Sequence, residues 1–210
     1  MNLSDIRKNY SRETLSEKLL CEPFHLFEKW IGEAIDGKVS EPTAMVLSTV
    51  SEDHKPSSRV VLLKHFTKEG FHFFTNYNSR KGREIKANSQ VALLFFWPEL
   101  EREVRVEGRA AFSPTSLSDQ YFSERPFESQ ISAIVSRQSE TVANREELEQ
   151  LWKIKEAASQ GAKLERPAEW GGYFIQPERI EFWQGRPNRL HDRILFVKKG
   201  EEWVVSRLAP

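Results

Sequence analysis

The sequence predicts an α+β fold, mainly β with helices, built on an antiparallel barrel. Three observations predict it. Between Ala44 and Phe112, short runs rich in β-formers follow one another across short connections. Between Pro114 and Gly161 the apolar spacing turns helical, and from Gly172 onward it returns to strands. Short connections make neighbouring strands antiparallel, because parallel neighbours need long crossovers. A succession of such strands closes into a barrel or a sandwich.

The elements follow in order. The first residues, about twenty, are charged and weakly periodic, and the polar opening MNLSDIRKNYSRET has no apolar core of the kind a secretory signal needs. Phe24, Phe27, Trp30, Ile31, Ala34 and Ile35 recur at three- and four-residue steps, which predicts an amphipathic helix ending near Gly37. Strands are predicted at Ala44–Val50, Ser57–Phe66, Phe71–Asn76, Gln90–Trp97 and Glu103–Phe112. Helices are predicted at Ser116–Glu124, Glu128–Ser136 and Asn144–Ser159, the last with Leu148, Leu151, Trp152 and Lys155 on one side. Strands at Gly172–Ile175 and Ile180–Gln184 precede a hairpin of Ile194–Lys198 and Trp203–Arg207 around Gly200. No repeat or linker divides the chain, so residues 1–210 read as one domain.

Composition narrows the function. Hydrophobic residues at 39% and charged residues at 30% describe a globular chain. Lys and Arg number 31 and Asp and Glu 31, so no basic excess points to nucleic acid or a membrane surface. The longest apolar run, Val91–Trp97, is too short to span a bilayer. One cysteine, Cys21, allows no intrachain disulfide and fits a reducing, cytoplasmic address. There is no G-x-x-x-x-G-K-[ST] loop, no G-x-G-x-x-G and no G-x-S-x-G elbow, and one Cys with 5 His forms no zinc pattern. Any nucleotide-like ligand therefore rests on side-chain cations and hydroxyls.

Four segments carry such groups. Arg59–Lys64 (RVVLLK) opens and closes with a cation, on opposite faces unless a bulge intervenes; two solvated strand ends are the plain alternative. In Thr75–Arg83 (TNYNSRKGR), Ser79 is an N-cap candidate with Arg80 and Lys81 in the first turn. Cations there oppose the helix dipole unless an anion sits between them. Tyr121, Arg125 and Ser129 fall at four-residue steps around Pro126, a hydroxyl–guanidinium–hydroxyl set suited to phosphate. Glu181–Arg193 crowds Trp183, Arg189, His191, Asp192 and Arg193 into a loop between strands, and His191 is the acid–base candidate.

With these motifs in place, the chain resembles the pyridoxamine 5′-phosphate oxidase family. The elements that carry the resemblance are RVVLLK, FFTNYNSRKG, SERPFESQISAIVSRQS, WGGYFIQPERIEFWQG, NRLHDR and the terminal RLAP. The resemblance implies a split β-barrel that binds FMN as cofactor, in a homodimer with each flavin at the subunit interface. It implies oxidation of pyridoxamine or pyridoxine 5′-phosphate to pyridoxal 5′-phosphate, with hydride passing to flavin and O2 returning as hydrogen peroxide, and with ammonia released from the amine. It assigns Arg59, Val60, Val61, Leu62, Leu63 and Lys64 to a segment along FMN, Lys64 also reaching the substrate phosphate. Phe74 and Thr75 become flavin contacts, and Arg80 and Lys81 binders of the FMN phosphate. Tyr121, Arg125 and Ser129 match the substrate-phosphate cup. Gln138, Ser139, Trp183 and Arg193 match further FMN contacts. Arg189 and His191, with Leu190 between them, match the catalytic loop over the substrate ring, and Arg7 and Tyr10 an N-terminal segment that closes over it. Glu103 departs from the family, which has Gln as an FMN contact there. A carboxylate facing the flavin phosphate would repel it, whereas one turned to Arg102 or Arg105 would change little. Another split-barrel flavoprotein would share the flavin residues but lack the cup and the NRLHDR loop. A non-catalytic carrier of FMN or pyridoxal phosphate would share the pocket without turnover.

Overall fold

The computed structural model describes residues 8–16, 22–159 and 161–210. The N-terminal motif's Arg7 and the lone Cys21 lie outside them. Helix α1 (Pro23–Asp36) starts on a proline whose missing N–H costs nothing at that position, and it stops where Gly37 N–H reaches the Glu33 carbonyl at 2.9 Å. Its buried stripe is Phe24, Leu26, Phe27, Trp30, Ile31 and Ala34, while Ile35, predicted to belong to it, is 54% exposed.

Strands β1 (Ala44–Val50), β2 (Pro56–Leu62), β3 (His65–Thr67), β4 (Gly70–Asn76), β5 (Gln90–Trp97), β6 (Arg102–Phe112), β7 (Trp170–Gln184), β8 (Asp192–Lys199) and β9 (Glu202–Arg207) form one sheet. Its order is β2-β1-β5-β6-β7-β4-β3, with β8 and β9 branching from β7, and every pairing is antiparallel. The branch is the split. Along its length β7 pairs with β6, but its first half takes β4 as its other neighbour and its second half takes β8. The change falls where the register slips by one residue opposite Glu107 and Gly108. There Pro177 removes a donor, and Gly108 lets the Gln176 carbonyl approach to 2.2 Å from where a Cβ would stand.

Two predicted boundaries change. Ser57–Phe66 is two strands: Leu63 N–H turns to Thr43 O (2.9 Å) and Lys64 N–H to His72 O (3.0 Å), so the chain steps from β1 to β4 between them. Conversely, Gly172–Ile175 and Ile180–Gln184 are one bulged strand, which alternation alone divides at Pro177. The core fills the barrel: Phe27 meets Phe66, Phe71 and Phe95 at 5.0–5.1 Å between centroids, and Trp30 meets Phe182 at 5.2 Å. Burying each such ring contributes about 1.5–3 kcal/mol.

The helices lie at the sheet's margin: α2 (Arg80–Ala87) between β4 and β5, then α3 (Thr115–Glu124), α4 (Phe127–Val135) and α5 (Arg145–Ala158) between β6 and β7. No helix among the described residues is long and apolar enough to cross a membrane.

Candidate active site

A cavity of about 880 Å³ opens between β2, β4, the start of α2 and the α3–α4 junction. Its wall includes Arg59, Val60, Val61, Leu62, Lys64, Phe74, Thr75, Arg80, Lys81, Tyr121, Arg125, Ser129, Gln138 and Ser139, so three of the four segments meet in one place. Both cations of RVVLLK reach it because the strand is interrupted before Lys64. Leu63 does not; it is 4% exposed and belongs to the core.

The cavity has two cationic ends. At one, Ser79 caps α2, its hydroxyl accepting from Gly82 N–H at 3.4 Å, and the first turn holds no acidic residue. Lys81 is 7% exposed and donates to Thr75 Oγ1 (3.1 Å), Ser79 Oγ (3.4 Å) and Gln138 Oε1 (2.9 Å). Among the described residues it has no ion pair. Burial first, and the Arg59 charge second, bring its pKa down to about 8. Arg59 and Arg80 share Glu84, at 3.0 and 2.8 Å. Burial would push the Glu84 carboxyl up, but hydrogen bonds from Thr49, Ser57, Arg80 and Arg59 outweigh it and hold the pKa at about 2. Glu84 thus stays ionised and keeps two guanidiniums side by side, and with Lys81 this end carries three cations against one carboxylate among the described residues.

At the other end, α3 stops at Arg125, held extended by the proline after it, and α4 starts at Phe127. The break lets Tyr121, Arg125 and Ser129 converge on the cavity instead of sharing one helix face. Arg125 stacks over Trp170 at 4.7 Å, and Tyr121 stacks on Phe74 at 4.1 Å. Arg125 Nη1 is buried with no hydrogen-bond partner among the described residues. Burial lowers the Arg125 pKa and raises that of Tyr121, so a second anion is favoured here.

Tyr10, Glu103, Trp183, Arg189, Leu190, His191 and Arg193 do not line this cavity. They gather where β6 starts, β7 ends and β8 starts. Trp170 and Trp183 stand near opposite ends of β7, up to roughly 40 Å apart at about 3.3 Å per residue. Tyr10 packs edge-on against Trp183 (5.7 Å) and His191 (5.9 Å). His191 Nδ1 accepts from Arg186 N–H at 3.1 Å, so the neutral ring carries its proton on Nε2. Burial and then the Arg189 charge lower its pKa. Arg189, like Asn188 before it, has a positive φ (61° and 57°), and Leu190 is 68% exposed. Arg193 forks onto Glu181 at 2.7 and 3.0 Å, which raises its pKa. Glu103 is engaged by Arg105 Nε rather than by Arg102, whose partners are Glu13 and Glu33.

Sequence reasoning missed Glu84, Ser57 and Trp170. Glu84 and Ser57 had legible signals, Glu84 being four residues after Arg80 on one helix and Ser57 two residues before Arg59 on one strand face; Trp170 had none, since only folding sets it under Arg125.

The family model described as pyridoxamine 5′-phosphate oxidase matches residues 31–154. The chain belongs to the pyridoxamine 5′-phosphate oxidase family. A second model, described as the pyridoxine 5′-phosphate oxidase C-terminal dimerisation region, matches residues 170–210. Pyridoxine/pyridoxamine 5′-phosphate oxidases from Leptospira biflexa (49% identical, 100% of this chain and 99% of that one) and Actinobacillus succinogenes (50%, 100% of both) align throughout. Among solved structures, PhzG from Burkholderia lata, in complex with tetrahydrophenazine-1-carboxylic acid, superposes with a TM-score of 0.89 at 30% identity, covering 95% of this chain and 100% of that one. A pyridoxamine 5′-phosphate oxidase-related FMN binding protein from Nostoc punctiforme shares the fold, with a TM-score of 0.73 at 14% identity over 94% of this chain and 100% of that one. The split barrel of this family is therefore the fold.

Proposed function

We propose that this chain is an FMN-dependent oxidase converting pyridoxamine 5′-phosphate and pyridoxine 5′-phosphate to pyridoxal 5′-phosphate. One observation carries the reading: a single cavity with two separate cationic ends, Lys81 at one and the partnerless Arg125 Nη1 at the other. Two phosphorylated ligands, a cofactor and a substrate, match two such ends. FMN fits the first. Lys81, Arg80 and the free N–H groups of α2 would hold its phosphate, with Arg59–Leu62, Thr75, Gln138 and Ser139 along the ring. When bound, FMN supplies a ring that takes hydride from the substrate carbon and returns the electrons to O2 as hydrogen peroxide.

The chain's own residues bind and orient. Arg125, Tyr121, Ser129 and Lys64 fix the substrate phosphate away from the reacting carbon, which limits the ring to one pose. His191, with Nδ1 occupied by an amide N–H, offers Nε2–H as a donor, a role in orienting ring substituents rather than in taking a proton.

The Trp183–Arg189–His191–Arg193 group is absent from the cavity wall and lies toward the opposite end of β7 from Trp170, so it is not part of the cavity of its own chain. The match of residues 170–210 to a dimerisation region supports a homodimer in which a second copy brings that group to each cavity, with Arg189 over the substrate ring. The cup's hydroxyls and guanidinium favour a phosphorylated substrate over the carboxylated tricycle named with PhzG. A cytoplasmic address fits a chain with one cysteine.

The test is anaerobic mixing of FMN-loaded protein with pyridoxine 5′-phosphate. Bleaching of the flavin absorbance, reversed by air with peroxide release, is expected. A flavin that stays yellow with both the alcohol and the amine would overturn the proposal.

A further inference from the structure

The segment Lys8–Ser16 has no regular secondary structure, yet it lies fixed across the end of the sheet that carries His191. Its anchor is Glu101, the last residue of the turn between β5 and β6. Glu101 Oε2 accepts Ser11 N–H at 2.9 Å and Arg12 N–H at 3.0 Å, so one carboxylate oxygen satisfies two consecutive amides. The residue is 8% exposed and sits at φ 56°, a left-handed conformation that a glutamate rarely adopts. A residue in a strained backbone conformation that spends its only charge on a neighbouring segment is better explained by what it holds than by its own turn.

What it holds is Tyr10. Ser11 follows Tyr10 directly, and the Tyr10 ring packs edge-on against both Trp183 and His191. The seat beneath the ring is Gly185, where an added Cβ would lie 2.7 Å from Tyr10 Cγ and 3.1 Å from Glu101 Cβ. Gly185 N–H in turn donates to the Glu101 carbonyl at 2.7 Å. Further along the segment, Glu13 pairs with the buried Arg102 at 2.7 Å, and Leu15 N–H donates to Asp192 Oδ2 at 3.0 Å.

We propose that Glu101 is a positioning residue for the oxidation. By fixing the amides of Ser11 and Arg12 it sets Tyr10 against Trp183 and His191, and so sets the pose in which His191 meets the substrate. The inference rests on the reading of His191 as a substrate contact.

The decisive variant is Glu101→Gly in the full-length, FMN-loaded protein. Glycine suits φ 56°, so the turn loses strain while the segment loses its anchor. The expected result is a melting temperature no lower than wild type, faster tryptic cleavage after Lys8 or Arg12, KM for pyridoxine 5′-phosphate raised about tenfold and kcat changed less than about twofold, the size expected for two lost charge-assisted hydrogen bonds partly replaced by water. Glu101→Gln, whose amide oxygen still accepts, should stay within about threefold of the wild-type KM. Gly185→Ala, which displaces the ring while leaving the carboxylate, should raise KM as Glu101→Gly does. In a Tyr10→Ala background, Glu101→Gly should add less than about twofold. Wild-type KM and cleavage in Glu101→Gly, or effects of Glu101→Gly and Tyr10→Ala that multiply, would overturn the proposal. Should the wild-type protein show no turnover at all, the functional reading fails. Cleavage of the segment would then still decide whether Glu101 anchors it.

Discussion

Lys81 makes cofactor affinity depend on pH in a calculable way. It is buried, lacks an ion pair among the described residues, and has a pKa of about 8 instead of the usual lysine value of 10.5. The fraction charged is then about nine-tenths at pH 7 and about one-tenth at pH 9. A phosphate dianion placed beside it restores the charged form, so binding at pH 9 takes up about 0.9 proton. The phosphate is already a dianion above about pH 7.5, because its second pKa is about 6. It adds nothing to the change. FMN affinity should therefore fall about tenfold between pH 7 and pH 9. The sign for the free protein is opposite. Between about 8 and 10.5 the unfolded chain holds the proton that folded Lys81 has lost, so this group makes the ligand-free fold more stable as pH rises, and the gain on adding FMN shrinks. Flavin-fluorescence titrations across this range, with calorimetry in two buffers of different ionisation enthalpy, measure both quantities. Lys81→Arg stays charged and should lose the pH dependence and the proton uptake together. Less than a twofold change in wild type, with no proton uptake, would refute the assignment of Lys81 to the phosphate.

Other expectations concern single side chains. Arg125→Ala should raise KM for the phosphorylated substrate about a hundredfold, two charge-assisted bonds at about 1.5 kcal/mol each, and leave bound flavin unchanged in the absorbance spectrum. Arg189→Ala should lower kcat as well as affinity, and wild-type steady-state kinetics would refute its place over the substrate ring. His72, 6% exposed and bonded to Ser113 at 2.9 Å, has its pKa lowered to about 4, by burial first and His65 second. The unfolded chain takes that proton first, so stability falls as pH drops from 6.5 through 4. From pH 7 to 5 this group should remove about 2 kcal/mol, read as a fall in the urea midpoint that His72→Gln reduces. Glu103→Gln should change FMN affinity by less than about threefold, because Arg105 already engages the carboxylate.

Local residue chemistry made much of this protein legible in its sequence. The three- and four-residue spacing from Phe24 to Ala34 determined α1, and short runs of β-formers bounded by turn residues determined β1, β4, β5 and the β8–β9 hairpin. Ser79 as a cap with Arg80 and Lys81 behind it was legible as a helix start without an acidic first turn, because capping belongs to local sequence. RVVLLK, apart from the core residue Leu63, and SERPFES also supplied residues of the cavity wall. Tertiary structure decided how these pieces meet. Whether Arg59 and Lys64 share a side depended on the step from β1 to β4 at Leu63, which no alternation rule contains. That β7 runs unbroken through Pro177 depended on β4 and β8 pairing with it on either side of one bulge. The convergence of Tyr121 and Ser129, and the distance separating Trp183 and His191 from the cavity they were expected to serve, are set by the packing of elements far apart in sequence. Side-chain periodicity reports which face of an element is buried; it carries no information on which other element covers that face.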